Sequence, residues 1–270
     1  MRITAAILTL LVFTAAGNGQ SPAPSSQAQP TIRNLTIVSD DLPQADRLRI
    51  ANSLQGATCD PDEMQERVRR KLRDLGFYNA QVETPEFSQM RRPEMIQGPA
   101  PDGIDVSIKV LPGAQYRFGV IEFKHATVFA PDTLRRQFPV EAGSLFNVTS
   151  VSYGLSRLRN LYQANGHINF GAIPMPTVDE KHHVVNLTID LDEGKSYVFG
   201  PLTLAGTEPH AGDGNALVSS WANLEGKTYD PDLLKDWLAA NWPSGNEGLN
   251  HMQAMPDESA QQVNFHLQFR

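Results

Sequence analysis

The chain has 270 residues, of which 40% are hydrophobic and 20% charged, an ordinary balance for a globular protein of one large or two to three small domains. Its net charge of −7 argues against indiscriminate binding to nucleic acid, and we predict no nucleic-acid partner. The single cysteine, Cys59, excludes an internal disulfide and a cysteine-rich zinc site. We expect Cys59 to be a small, partly buried residue near the start of a helix.

Residues 1–20 have the order of a secretory signal peptide. Arg2 is the only charged residue among the first thirty, and an apolar run from Ile3 to Ala16 follows it and ends in small residues. A helix that spans a membrane needs about 20 apolar residues, so this run is too short to be a good membrane anchor. The mature chain is predicted to have no transmembrane segment. Residues 21–30, rich in Ser, Pro, Ala and Gln, predict a flexible tether. We therefore expect a periplasmic or secreted protein, which leaves open a peripheral position at the outer membrane.

Residues 31–113 predict a first small unit of strands and helices. A short strand around Ile32–Val38 precedes a helix that ends near Gly56. A second helix, which the sequence Asp-Pro-Asp-Glu begins at residue 60, carries a helical stripe that comprises Met64, Val68, Leu72 and Leu75. A strand through Val82 follows, then a proline-rich loop insertion over Pro85–Gly103 and an alternating strand over Ile104–Val110.

Residues 114–195 repeat this order more clearly. The opening Tyr116–Gly119 leads into an alternating strand, and a short helix is expected after Pro131. A second helix has a stripe that comprises Val151, Leu155, Leu158 and Tyr162, and Gly166 ends it. The alternation of Ile168 and Phe170 predicts that the next strand begins at His167, and Val184–Leu191 predicts the last strand.

Residues 196–270 repeat the order with weaker signals, and the strand expected within Leu249–Met255 is the weakest. Turn glycines recur roughly every 85 residues along the chain, a period typical of tandem small domains. These glycines are Gly56, Gly143 and Gly226. The sequence thus predicts an α+β protein of three tandem β-α-α-β-β units, each a three-stranded sheet covered by two helices.

The second unit resembles the polypeptide-transport-associated (POTRA) domain. The residues that carry the resemblance lie in four segments, Tyr116–Gly119, Gly143–Asn147, Leu158–Gly166 and Val184–Gly194. With its two weaker copies the resemblance covers about residues 31–270, and it depends on order and repetition rather than on one motif. It implies a non-enzymatic scaffold in the periplasm that assists outer-membrane protein assembly or polypeptide transport by strand-edge pairing. The implied partner is an unfolded or extended polypeptide, and a separate outer-membrane barrel protein is a further candidate.

The best-known members of this family continue into a membrane β-barrel, for which the 270 residues leave no length. The chain is therefore expected not to insert client proteins itself, unless it is a fragment of a longer protein.

The resemblance also implies where a partner binds. In that family the strand after the second helix is usually an exposed edge, which maps here to Tyr78–Thr84 and His167–Ile173. The candidate partner-binding residues are Tyr78, Asn79, Gln81, His167, Asn169 and Gly171. The alternative is that the neighbouring unit or the Pro85–Gly103 insertion covers these edges, because proteins usually protect them.

Two other function classes stay open. The first is a dedicated structural adaptor or spacer in the cell envelope. The second is an enzyme, although the sequence has no G-x-S-x-G, H-E-x-x-H, C-x-x-C or phosphate-loop motif and its seven histidines are scattered. We predict no catalytic residue, no cofactor and no metal site.

Overall fold

The computed structural model describes residues 31–58, 60–88, 103–206, 213–241 and 249–269. The predicted signal peptide, the tether, Cys59 and most of the Pro85–Gly103 insertion lie outside the described residues. The described residues form six helices and ten strands in three sheets, which confirms the α+β class. The first two sheets share one compact unit, and the third sheet belongs to a second compact unit.

The first sheet lies between Ile32 and Leu111. Its elements are β1 (Ile32–Val38), α1 (Gln44–Leu54), α2 (Pro61–Asp74), β2 (Gln81–Val82), β3 (Glu86–Ser88) and β4 (Ile104–Leu111). Strand β4 is central, because it pairs in parallel with β1 on one side and antiparallel with β2 and β3 on the other.

The second and third sheets have the same order as each other. The second comprises β5 (Arg117–Lys124), α3 (Pro131–Arg135), α4 (Val148–Gln163), β6 (Gly171–Asp179) and β7 (Val184–Asp192). The third comprises β8 (Val198–Ala205), α5 (Asp213–Trp221), α6 (Pro231–Asn241), β9 (Leu249–Asp257) and β10 (Gln262–Phe269). In each, the last strand is central and pairs in parallel with the first strand and antiparallel with the strand before it.

Three turn glycines occupy equivalent places in the three sheets. Gly56, Gly143 and Gly226 have φ angles of 80°, 81° and 80°, in the left-handed region that favours glycine. Each donates its amide to a carbonyl near the start of the opening strand, at 2.8 Å on Ile32, 2.7 Å on Phe118 and 2.8 Å on Phe199, respectively. The spacing that the sequence analysis used is therefore a true structural repeat.

The helical stripes form the cores, as their spacing predicts. Met64, Val68 and Leu72 of α2 are fully buried, and Leu158 and Tyr162 of α4 are fully buried as well. The third sheet has an aromatic core instead, in which Trp221 packs at centroid distances of 4.8 Å on Trp237, 4.8 Å on Phe265 and 5.8 Å on Phe199.

Several strands differ from their sequence predictions. Residues 77–80 form a turn, so β2 begins at Gln81 and not at Tyr78, and β3 forms within the predicted Pro85–Gly103 loop and gives the first sheet a fourth strand. The expectation of a strand over His167–Ile173 is wrong for its first four residues, because residues 167–170 form a turn and β6 begins at Gly171. That turn follows from the left-handed Gly166, after which the His167 amide bonds back to the Tyr162 carbonyl at 3.0 Å. The weakly patterned Leu249–Met255, in contrast, belongs to the full nine-residue strand β9.

Candidate functional site

The strand after the second helix lies at a sheet edge in the first two sheets, as expected, and in the third sheet as well. Strand β2 pairs with β4, β6 with β7, and β9 with β10, and each of these three strands has one named strand partner among the described residues. The edge of an antiparallel sheet presents every second N–H and C=O outward, where another extended chain is able to pair with them. These three edges are the candidate functional sites.

The first edge is short, and two of its three predicted site residues make contacts elsewhere. Tyr78 packs its ring 5.1 Å from Phe146 and 6.1 Å from Tyr116. The Asn79 amide donates to the Tyr116 hydroxyl at 3.1 Å and to the Glu180 carboxylate at 2.8 Å. Among the predicted residues of this edge, Gln81 alone lies in the strand β2, where it is exposed and opposite Leu111.

The contacts of Tyr78 and Asn79 belong to a joint between the first two sheets, within their shared compact unit. Asp74 at the end of α2 accepts bonds from the Thr149 backbone N–H at 2.9 Å and from the Thr149 hydroxyl at 2.8 Å. Its backbone carbonyl accepts a bond from the Asn147 side chain at 3.1 Å. Because the Asp74 carboxylate lies against the first turn of α4, it also suits the positive end of that helix. The neighbouring unit therefore covers the start of the first predicted edge.

The second predicted edge is also only partly an edge. His167 is buried, and its Nδ1 lies 2.8 Å from the Glu193 carbonyl oxygen. Asn169 is exposed in the turn before β6 and takes no part in the ladder with β7. Gly171 is the first residue of β6, opposite Asp192, and is the one predicted residue here that lies in the edge strand.

Glu193 organises the end of this sheet, although the sequence analysis gave it no role. Its carboxylate accepts bonds from the Thr127 amide at 2.9 Å, the Val128 amide at 3.0 Å and the Tyr162 hydroxyl at 2.6 Å. The Thr127 hydroxyl donates to the same carboxylate. Burial opposes ionisation of Glu193, but these hydrogen bonds outweigh it and lower its pKa to about 2. The same burial, with the neighbouring carboxylate, raises the pKa of Tyr162. In the sequence, one feature pointed to this cluster: Tyr162 places a hydroxyl within the apolar stripe of α4, and a buried hydroxyl needs a hydrogen-bond partner.

Two prolines modify the exposed side of β6. Pro174 and Pro176 lie opposite Ile189 and Leu187, and the ladder with β7 runs through both without a register shift. Because proline has no N–H, an unbroken ladder requires that both prolines occupy positions whose backbone faces away from β7. The outer side of β6 therefore lacks two donors in its middle.

A shallow groove lies beside the start of β6. Its volume is about 280 Å³. It is lined by Leu155, Ser156, Arg159 and Asn160 of α4 together with Phe170 and Ala172. Leu155 and Phe170 supply apolar surface there, so the groove suits one side chain of a strand that pairs near Ala172.

The described residues contain no group of three or more His, Cys, Asp or Glu side chains arranged to hold a metal ion. Among the helices described, none combines the length and the apolar character that crossing a membrane requires.

Comparison with known proteins finds a family model that matches one part of the chain. The family model described as "POTRA: Surface antigen variable number repeat" matches residues 116–194. The structure is similar to the crystal structure of Haemophilus influenzae BamA POTRA3-5, with a TM-score of 0.62 and 14% sequence identity, over 93% of this chain and 100% of that one. At that identity the similarity shows a shared fold.

Two further solved structures are similar at lower scores. One is BamA from Haemophilus ducreyi lacking POTRA domains 1-3, with a TM-score of 0.42 and 18% identity, over 64% of this chain and 32% of that one. The other is POTRA1-3 of the periplasmic domain of Omp85 from Anabaena, with a TM-score of 0.36 and 15% identity, over 89% and 95%. The comparison with curated proteins found no match.

Proposed function

Residues 116–194 form a POTRA domain, and from this premise we propose that the chain is an exported, periplasmic binding protein for extended polypeptides. Its proposed task is to assist outer-membrane protein assembly or polypeptide transport by strand-edge pairing. The partner is an unfolded or extended polypeptide, which includes segments of a separate outer-membrane barrel protein. The signal-like order of residues 1–20 supports the proposed compartment.

One observation carries this proposal. Nine-residue antiparallel strands, β6 and β9, lie at the edges of their sheets, and within the described residues each pairs on one side only. An extended chain that adds to such an edge gains main-chain hydrogen bonds, which make little demand on its sequence. Binding of this kind suits a protein that must hold many different unfolded clients.

A binding titration tests the proposal. The probe is a fluorescein-labelled 12-residue peptide of alternating valine and threonine with a lysine at each end, and fluorescence anisotropy measures its affinity for the purified mature chain. The control peptide has proline at every second threonine position, which removes donors without adding charge. We expect the first peptide to bind and the control to bind at least about tenfold more weakly, the effect of losing about 1.4 kcal/mol. Equal binding of both peptides, or of neither, would refute edge pairing.

The proposed organisation is a signal peptide at 1–20, a tether at 21–30 and three units at 31–113, 114–195 and 196–270. N-terminal sequencing of the cell-envelope form is expected to begin after the apolar run. Limited proteolysis is expected to cut first in the tether and in Pro85–Gly103, because exposed loops are the preferred sites of cleavage. An intact Met1 on that form would contradict export.

A structural spacer is the second candidate, and the joint between the first two sheets favours it. Asp74, Asn147 and Thr149 fix the end of α2 to the start of α4 by three hydrogen bonds, as a rigid arm requires. The titration separates the two candidates, because a spacer binds neither peptide.

A further inference from the structure

The hairpins β6–β7 and β9–β10 correspond position by position. In β5 a register shift lies between Phe118 and Ile121, which pair with Val185 and Leu187. In β8 the same shift lies between Phe199 and Leu202, which pair with Val263 and Phe265. Leu187 is therefore equivalent to Phe265, and their opposite partners on the edge strands are equivalent too.

This correspondence matches each proline of β6 with a residue of β9. Leu187 lies opposite Pro176, whereas Phe265 lies opposite Ala254. Two residues along, Ile189 lies opposite Pro174, whereas Leu267 lies opposite Met252. The third sheet thus has ordinary residues at both places where the second sheet has proline.

The backbone direction of β9 follows from Pro256. This proline lies opposite Val263 within an unbroken stretch of the ladder, so its position must face away from β10. Along an antiparallel strand, the backbone groups of successive residues point alternately toward and away from the partner strand. The N–H and C=O groups of Ala254 and Met252, two and four residues before Pro256, therefore also face outward. In the described part of the chain, β9 pairs with β10 alone. The β9 edge therefore offers two outward N–H donors with their C=O acceptors, at Ala254 and Met252, whereas the equivalent positions of β6 are prolines without an N–H.

Apart from Pro256 near its end, β9 carries no side chain that protects this edge. No Asp, Glu, Lys or Arg occurs between Leu249 and Pro256, so the charges that commonly guard edge strands are absent from this stretch of sequence. Ala254 is exposed and small, and Met255 on the opposite face is 40% exposed. An incoming strand meets neither a charge nor a bulky group at the centre of β9.

We propose that β9 is the edge that accepts the added strand, and that the outer side of β6 is closed by Pro174 and Pro176. This inference rests on the proposed function and names its site. The ligand is an extended, proline-free polypeptide segment of mostly uncharged residues, because a neutral edge with free backbone groups gains nothing from charge and loses a bond at each proline.

The test exchanges the matched residues. Ala254→Pro copies Pro176 into β9, and Pro176→Ala copies Ala254 into β6. The fold already accommodates proline at this place in the second sheet, so Ala254→Pro is expected to keep its circular dichroism spectrum. With the valine–threonine peptide, we expect Ala254→Pro to bind about tenfold more weakly, because one carbonyl of the peptide loses its donor. Pro176→Ala is expected to bind at least as tightly as the wild type.

Hydrogen exchange provides a second measurement that needs no variant. On addition of the peptide to the wild type, the amides of Met252 and Ala254 are expected to gain protection, whereas the amide of Val178 in β6, which also faces away from its partner strand, is expected to change little.

The outcomes separate the site from the function. If the wild type binds the peptide but Ala254→Pro binds equally well and the β9 amides gain no protection, the assignment to β9 is wrong and the proposed function stands. If the wild type does not bind the peptide, both fail. If β9 instead pairs with a second copy, sedimentation shows a wild-type dimer that Ala254→Pro abolishes and that the peptide does not dissociate, which also overturns the proposal.

Discussion

The hairpins β6–β7 and β9–β10 share one geometry and differ in their edges. Asp179 and Asp257 begin the two turns, and the turns end at His183 and Gln261, whose φ angles are 51° and 52°. In both turns the aspartate accepts hydrogen bonds from backbone and side-chain groups of the loop, and these bonds lower its pKa. The largest cause is the bond from the His182 side chain for Asp179 and the bond from the Ala260 backbone for Asp257. The difference lies in which positions of each edge strand carry proline.

In the opening strands β5 and β8, the proline occurs in the third sheet and not in the second. In the second sheet the Val120 amide donates to the Asn186 Oδ1 at 3.0 Å. The equivalent position in the third sheet is Pro201, which has no N–H, and the Asn264 Oδ1 is buried without a partner among the described residues. Gly119 and Gly200 leave room for these side chains, because a Cβ there would lie 2.0 Å and 2.2 Å from the asparagine oxygens. In the opening strands proline therefore occurs only in the third sheet, whereas in the strands after the second helix β6 carries Pro174 and Pro176 and β9 carries Pro256.

The largest expected effect concerns the cores behind the two hairpins. Phe265→Ala removes a fully buried ring that lies 4.8 Å from Trp221, and we expect a loss of about 3–5 kcal/mol in the free energy of unfolding. Leu187→Ala at the equivalent position of the second sheet is expected to cost about 2–5 kcal/mol. Urea denaturation followed by circular dichroism measures both. A loss below 1 kcal/mol at Phe265, on the order of a surface change, would show that the third sheet has no ordered core.

A smaller effect is expected at Glu193, which directly follows the β6–β7 hairpin. Because its folded pKa of about 2 is below its ordinary value of 4.5, its contribution to stability is fully present above pH 4.5 and is lost as the pH falls toward 2. Glu193→Gln is expected to cost roughly 1–3 kcal/mol at neutral pH, since the Thr127 and Val128 amides lose a charged acceptor.

Thermal melts between pH 6 and pH 2.5 measure this dependence. The variant is expected to lose less stability on acidification than the wild type does, and parallel curves for the two proteins would contradict the assignment. Asp192→Asn is the matched control, because it changes an exposed acid of the same hairpin whose bond goes to the Gly194 amide and not to the Glu193 cluster.

The smallest expected effect comes from exchanging the residues of the opening strands. Val120→Pro removes the bond to Asn186 and is expected to destabilise the chain by roughly 1–3 kcal/mol. Pro201→Val supplies the missing donor to Asn264, but the loss of proline's restriction on the unfolded chain offsets part of the gain, about 0.4–1 kcal/mol. We expect a net stabilisation of about 1 kcal/mol, measured by denaturation. Destabilisation by Pro201→Val would mean that the Asn264 oxygen already has a partner.

The sequence by itself determined the repeated architecture of this protein. The stripes of α2 and α4 needed only helical spacing, and the glycines at 56, 143 and 226 needed only their recurrence, because local periodicity and backbone preference act within a few residues. The edge position of β2 and β6 followed from resemblance to a known family.

Only the tertiary structure decided which edge residues are accessible. Tyr78 and Asn79 looked like edge residues, but their partners Phe146 and Glu180 come from the neighbouring sheet, and Asn79 is 101 residues from Glu180 along the chain. Pro174 and Pro176 were plain in the sequence, yet their effect depends on which side of β6 faces β7, and strand pairing sets that direction. Local sequence determines each element, whereas the contacts that cover or free an edge join residues far apart in the chain, so they become readable only once the fold is formed.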